Sequence, residues 1–187
     1  MNHIVSTSRI ALLILVLCVG PASAERPQPQ PQPLTGAFDP ETLLLQLEQL
    51  VKNRDWKTYG TYLSPGFRFI PYASLWVEYP TMEWDLWGKH RELDFIQEMV
   101  APHHRASLNL LDNVLDPGLE SHGRAEWDLV YTLVSRGMVF QSRAIFVFEE
   151  VDNLWYLREW VDTTIENDPE SGADLQTSGS LREALSR

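Results

Sequence analysis

RAEWDLVYTLVSRGMVFQSRAIFVFEEVDNLWYLREWVD, residues 124–162, decides the fold of this chain. Two dipeptides, Arg136-Gly137 and Asp152-Asn153, sit between apolar runs and suit two-residue hairpin loops, because Gly, Asn and Asp tolerate positive φ. With both loops at two residues, Ser135 faces Met138 and Val151 faces Leu154. Counting outward, Trp127 lies opposite Phe146, and Phe146 opposite Glu159. Side chains alternate across a strand, so this register sorts every residue onto one of two faces. One face collects Trp127, Leu129, Tyr131, Leu133, Phe140, Phe146, Phe148, Trp155, Leu157, Glu159 and Val161 and is apolar enough to demand a covering layer. The other carries Val130, Val139, Ile145, Val147 and Trp160 among charges, with Arg143 opposite Asp162. The expectation is a curved antiparallel sheet packed on helices along one side.

Glu159 is the only carboxylate that this register places on the apolar face. A lone buried carboxylate must pair with a cation or hold its proton. It reads either as half of a structural ion pair or sheet-edge contact, or as a general base in an apolar pocket. Arg68, His90 and Arg105 are its candidate cations.

Upstream, Asp39-Pro40-Glu41 is a helix start, with Asp as N-cap, Pro at the first helical position and an acid in the first turn. Leu43, Leu44, Leu47, Leu50 and Val51 mark one face of that helix. Asp55 caps a second helix bearing Trp56, Tyr59 and Tyr62, which ends at Ser64-Pro65-Gly66. Phe67 to Tyr72 alternates as a short strand. Leu75 to Trp87 is irregular by pattern, and its Trp76, Tyr79, Trp84 and Trp87 are placed to line or lid the gap between helices and sheet. Gly88 to Val100 is a helix stopped by Pro102, and Arg105 to Leu115 reads as a strand closed by Asp116-Pro117-Gly118.

The ends have other compositions. Residues 1–24 form a secretory signal: Arg9, an apolar run from Ile10 to Val19, and Ala22-Ser23-Ala24 as the cleavage site. The run is short for a membrane span. Export to the periplasm or medium follows, with lipidation at Cys18 as the rival reading, against which bulky Leu17 speaks. Residues 25–37 are a spacer in which Pro and Gln alternate. Residues 165–187 are polar, with little to bury, and read as a disordered tail in which Ser180 to Glu183 supplies at most one capped turn.

Composition removes several chemistries. The net charge is −11, and −12 once Arg9 leaves with the leader (−11 minus 1), against the basic footprint that nucleic acid requires. Cys18, the single cysteine, lies in the leader, so the mature chain has no disulfide, thiol nucleophile or thiolate ligand. His103-His104 lacks metal-ligand spacing, and no phosphate or dinucleotide loop occurs, so neither metal nor cofactor is expected.

The order of elements resembles the NTF2-like superfamily, the cone-shaped α+β fold of ketosteroid isomerase and SnoaL-like proteins. The pieces that carry it are LVKNRDWKTYGTYL (50–63), FRFI (67–70), GKHRELDFIQEM (88–99), RAEWDLVYTLV (124–134) and AIFVFEEVDNLWYLREWVDT (144–163). The resemblance covers residues 38–164 and implies a pocket between helices and concave sheet, here lined by Tyr59, Tyr62, His90, Trp127, Tyr131 and Phe146. It also implies a homodimer through the outer sheet face, here Val130, Val139, Ile145, Val147 and Trp160. Two functions stand side by side: a non-catalytic exported module binding a small apolar ligand or a partner, and a cofactor-free isomerase, cyclase or dehydratase with Glu159 as base. A second polar group from Tyr59, Tyr62, His90 or Tyr131 beside Glu159 would favour the enzyme.

Overall fold

A computed structural model describes residues 36–112, 114–118, 121–164 and 178–186. The leader, Cys18 and most of the Pro/Gln spacer lie outside the described residues, as does 165–177 of the expected tail.

Local signals place the first helices. Asp39 accepts a hydrogen bond from the Thr42 backbone N–H at 2.6 Å and caps α1 (Pro40–Asn53). Leu43, Leu44, Leu47, Leu50 and Val51 are buried on one stripe of α1, which ends with Arg54 in the left-handed region. Asp55 caps α2 (Trp56–Tyr59), which tightens into a 3₁₀ turn and then β1 (Leu63–Ile70). The irregular stretch holds a short helix, α3 (Ala73–Glu78), and a 3₁₀ turn at Trp84–Leu86. Trp84 and Trp87 are buried there as expected, whereas Trp76 is 42% exposed. Helix α4 (Lys89–Met99) follows, and then two short strands, β2 (Ser107–Asn109) and β3 (Val114–Asp116), in place of one continuous strand.

The long strands are β4 (Arg124–Ser135), β5 (Met138–Val151) and β6 (Leu154–Thr164). Arg136, Gly137, Asp152 and Asn153 all have positive φ, which gives the two-residue loops and the pairs Ser135 with Met138 and Val151 with Leu154. Sheet order is β1-β6-β5-β4-β2, with β3 also on β4. The β1–β6 pair is parallel, so the sheet is mixed where the sequence led us to expect it wholly antiparallel. Helices α1 and α4 pack against this sheet, and α2 packs against both of them.

One register correction reorganises the interior. Trp127 lies opposite Phe146, but Phe146 lies opposite Trp160, not Glu159. A β-bulge causes it: Phe148 pairs with Leu157 while Val147 pairs with Glu159, leaving Arg158 as the extra residue. From the bulge to the next register shift, Glu159 to Asp162 change face. Trp160 is 1% exposed and Asp162 is buried, while Glu159 and Val161 are half-buried beside Arg68 and Ile70 of β1. Burying the Trp160 indole favours the bulge, and Asp162, which enters the interior where Glu159 leaves it, meets three donors there. Its neighbour makes room: a Cβ on Gly66 would lie 2.1 Å from the Arg158 guanidinium. A second shift, between Arg143 and Ala144, puts Arg143 opposite Thr164 rather than Asp162. Arg143 pairs instead with Asp128 on β4, and this hydrogen bond holds the Asp128 carboxyl below its usual range.

The expected dimer surface shrinks accordingly. Trp160 points inward, and Val130 and Val147 are already buried within one chain, leaving half-buried Ile145 and exposed Val139.

Residues 178–185, expected to be disordered apart from one capped turn, form a helix, α5 (Ser178–Leu185), lying between α4 and the sheet. Its Leu181 and Arg182 are wholly buried.

Candidate functional site

The interior between α4 and the concave sheet is filled by charges that belong to the chain itself. Glu92 lies on the buried stripe of α4 with Phe95, Ile96 and Met99, and its side chain has no exposure. Arg182 reaches it from α5 and donates from Nε to Oε2 at 2.9 Å and from Nη2 to Oε1 at 2.7 Å. The Trp87 indole N–H donates to Oε2 as well, also at 2.9 Å. The guanidinium lies 3.7 Å from the Phe69 ring centroid, 4.5 Å from Phe95 and 4.6 Å from Trp160. A forked cation between a carboxylate and aromatic faces is the arrangement in which arginine interacts most strongly.

A second acid continues the network. Asp162 Oδ1 accepts from the Tyr131 hydroxyl at 2.9 Å and the Trp160 indole N–H at 3.0 Å, and Oδ2 accepts from Ser178 Oγ at 3.2 Å. Ser178 Oγ in turn accepts from Arg182 Nη1 at 2.7 Å. Burial raises the Asp162 carboxyl to a pKa of about 6, against the pull of Arg182 and its three donors. Burial likewise lifts the Tyr131 phenol well above its ordinary value, with Asp162 adding to the shift. The Tyr59 phenol is also pushed up by burial and then by Glu92, and its hydroxyl has no hydrogen-bond partner among the described residues.

The sign of the Asp162 shift gives a pH prediction. Its carboxyl binds a proton more tightly folded than unfolded, so its stabilising contribution is complete below the ordinary value of 3.8 and is lost as pH rises through about 6. Asn at 162 can keep all three contacts, with its amide donating to Ser178 Oγ. Wild type is therefore expected to lose about 2 kcal/mol relative to Asp162→Asn between pH 4 and 7. Urea melts across that range measure it; parallel curves would remove Asp162 as the titrating group.

Of the residues expected to line a pocket, Tyr59, Trp127, Tyr131 and Phe146 are buried on the interior, with Tyr62 at its margin. Tyr131 alone among them joins the polar network. His90 does not reach it: its side chain is 92% exposed and sits 3.1 Å from Asp94 one turn along α4. Glu159 stands outside, next to Arg68 in the sheet register. The sequence reading missed Glu92, although an acid on a stripe with Phe95, Ile96 and Met99 was the available signal. It missed Asp162 through the bulge and Arg182 through the low apolar content of the tail.

An open cleft of about 400 Å³ lies where Leu185 and Ser186 meet Met82, Trp87 and Arg91, and none of the six expected lining residues borders it. Among the described residues no group of three His, Asp or Glu side chains is arranged to hold a metal ion.

No protein-family model and no curated protein matches the chain. Solved structures do. A scytalone dehydratase-like protein of Novosphingobium aromaticivorans superposes with a TM-score of 0.52 at 12% identity, over 73% of this chain and 89% of that one. Bd1075 of Bdellovibrio bacteriovorus gives 0.51 at 8% identity over 68% of this chain, which spans only 40% of Bd1075. An NTF2-like protein of unknown function from Shewanella oneidensis gives 0.48 at 12% identity, over 65% and 93%. At these identities the likeness is one of fold, and that fold is the NTF2-like α+β cone.

Proposed function

We propose that this chain is an exported NTF2-like interaction module that does not turn over a substrate, and that its own C-terminal helix takes the place of a small ligand. One observation carries the reading. Arg182 and Glu92 are wholly excluded from solvent between α4 and the concave sheet, where a ligand would otherwise lie. Each Asp162 oxygen is also engaged by the chain's own donors. A catalytic base needs a reacting group within hydrogen-bond reach, and here the chain's own donors hold those positions. Export rests on the signal pattern of residues 1–24. Among the described residues no helix is long and apolar enough to cross a membrane.

The reading predicts how the full chain meets apolar ligands. Nile red is expected to show no saturable fluorescence rise with the wild-type protein at micromolar concentration. A stoichiometric rise, abolished by Trp127→Ala or Phe146→Ala, would mean that the interior is open and the reading is wrong.

A second reading is supported by Asp162 itself. A carboxyl with a pKa of about 6, hydrogen-bonded to a buried phenol, is suited to proton transfer near neutrality. In a cofactor-free isomerase or dehydratase, Asp162 would fill the role that the sequence assigned to Glu159, with Tyr131, one of the four candidates, as the second polar group. That chemistry requires α5 to vacate the interior.

A further inference from the structure

We infer that the space beneath α5 is a guanidinium-recognition site, with Arg182 as its resident occupant and an alkylguanidinium, such as an arginine side chain of a peptide, as its ligand class. The inference rests on the closed reading and adds the chemistry that the interior selects.

The receiving groups do not belong to α5. Glu92, Trp87 and Phe95 come from α4 and the turn before it, Phe69 from β1, Tyr131 from β4, and Trp160 and Asp162 from β6. Trp87 holds Glu92 Oε2 at 2.9 Å, so one body residue orients the carboxylate that accepts the fork. Nε and Nη2 occupy both Glu92 oxygens, which uses the planar spacing of two guanidinium N–H groups. Phe69, Phe95 and Trp160 offer the plane their rings. An ammonium is a compact, strongly hydrated charge that can make neither the paired contact nor the stacking, so the site discriminates by shape as well as charge.

A second observation concerns a residue outside α5. The Tyr59 hydroxyl is buried, lacks a hydrogen-bond partner among the described residues and feels the charge of Glu92. It is a donor or acceptor that the resident arginine leaves unused. Asp162 would also be released from Ser178 when α5 leaves, adding a second carboxyl beside the same space.

The test is occupancy of the seat after its occupant is removed. In full-length Arg182→Ala, ethylguanidinium is expected to raise Tm saturably, by about 3–6 °C at roughly ten times its Kd. Ethylammonium at the same concentration should not, and wild type, whose seat is filled, should respond to neither. Absence of a saturable rise overturns the inference, as does an equal rise with ethylammonium. If Arg182→Ala does not fold alone, its refolding yield with and without ethylguanidinium reads the same quantity, and a yield indifferent to the compound overturns it. The Nile red result is separate. Dye binding by wild type together with guanidinium rescue would sink the closed reading and leave the seat. No dye binding and no rescue would do the reverse.

Discussion

Glu92→Ala is expected to destabilise the protein by about 3–5 kcal/mol, the range for removing one partner of a buried ion pair. The physical reason is what stays behind. The Arg182 guanidinium has no exposure, and without Glu92 it keeps, among the described residues, Ser178, three aromatic rings and the more distant charge of Asp162. The Trp87 indole N–H loses its acceptor as well. Arg182→Ala should weaken the fold by a comparable amount, because it strands Glu92 and loosens α5 from the sheet.

Replacing both partners by Met is expected to recover most of the loss, since an apolar pair also removes the desolvation penalty of two charges. In a double-mutant cycle built from Glu92→Met, Arg182→Met and the double change, urea melts should then show the double loss several kcal/mol smaller than the sum of the two single losses. Glu92→Ala within about 0.5 kcal/mol of wild type would show that these side chains reach water and that α5 is not seated.

Trp160→Ala should be nearly as damaging, at about 3–5 kcal/mol. The indole ring lies 4.9 Å from Tyr131, 4.7 Å from Phe146 and 6.2 Å from Phe69, and its N–H donates to Asp162. Removing it opens a void at the junction of β1, β5 and β6 and leaves Asp162 one donor short. Glu159→Ala, one residue away, is expected to stay within about 0.5–1 kcal/mol, because its half-buried side chain leaves the interior untouched. The pair of measurements tests the bulge directly. If Glu159→Ala were the costly change and Trp160→Ala the mild one, β6 would be threaded in strict alternation from Leu154 onward.

Much of this protein is written in local chemistry. The Asp39 cap and the leucine stripe of α1 need only nearest-neighbour geometry and the helical period, and both hairpin loops follow from residues that tolerate positive φ. The interior faces of β4 and β5 follow from alternation, because nothing interrupts their pairing over its whole length. The order of elements carried the resemblance from which the fold class was expected.

Tertiary structure decided the contents of the interior. Alternation carries no mark of a bulge: Arg158 is the extra residue because Trp160 gains by burial and Glu159 keeps its hydration, and that gain exists only once β1 and the helices are in place. Helix α5 has the same dependence. Eight residues whose apolar side chains are Leu181, Ala184 and Leu185 do not hold a helix in water, so the sequence alone reads as a tail. It is the carboxylate of Glu92, ninety residues earlier, that gives Arg182 somewhere to go.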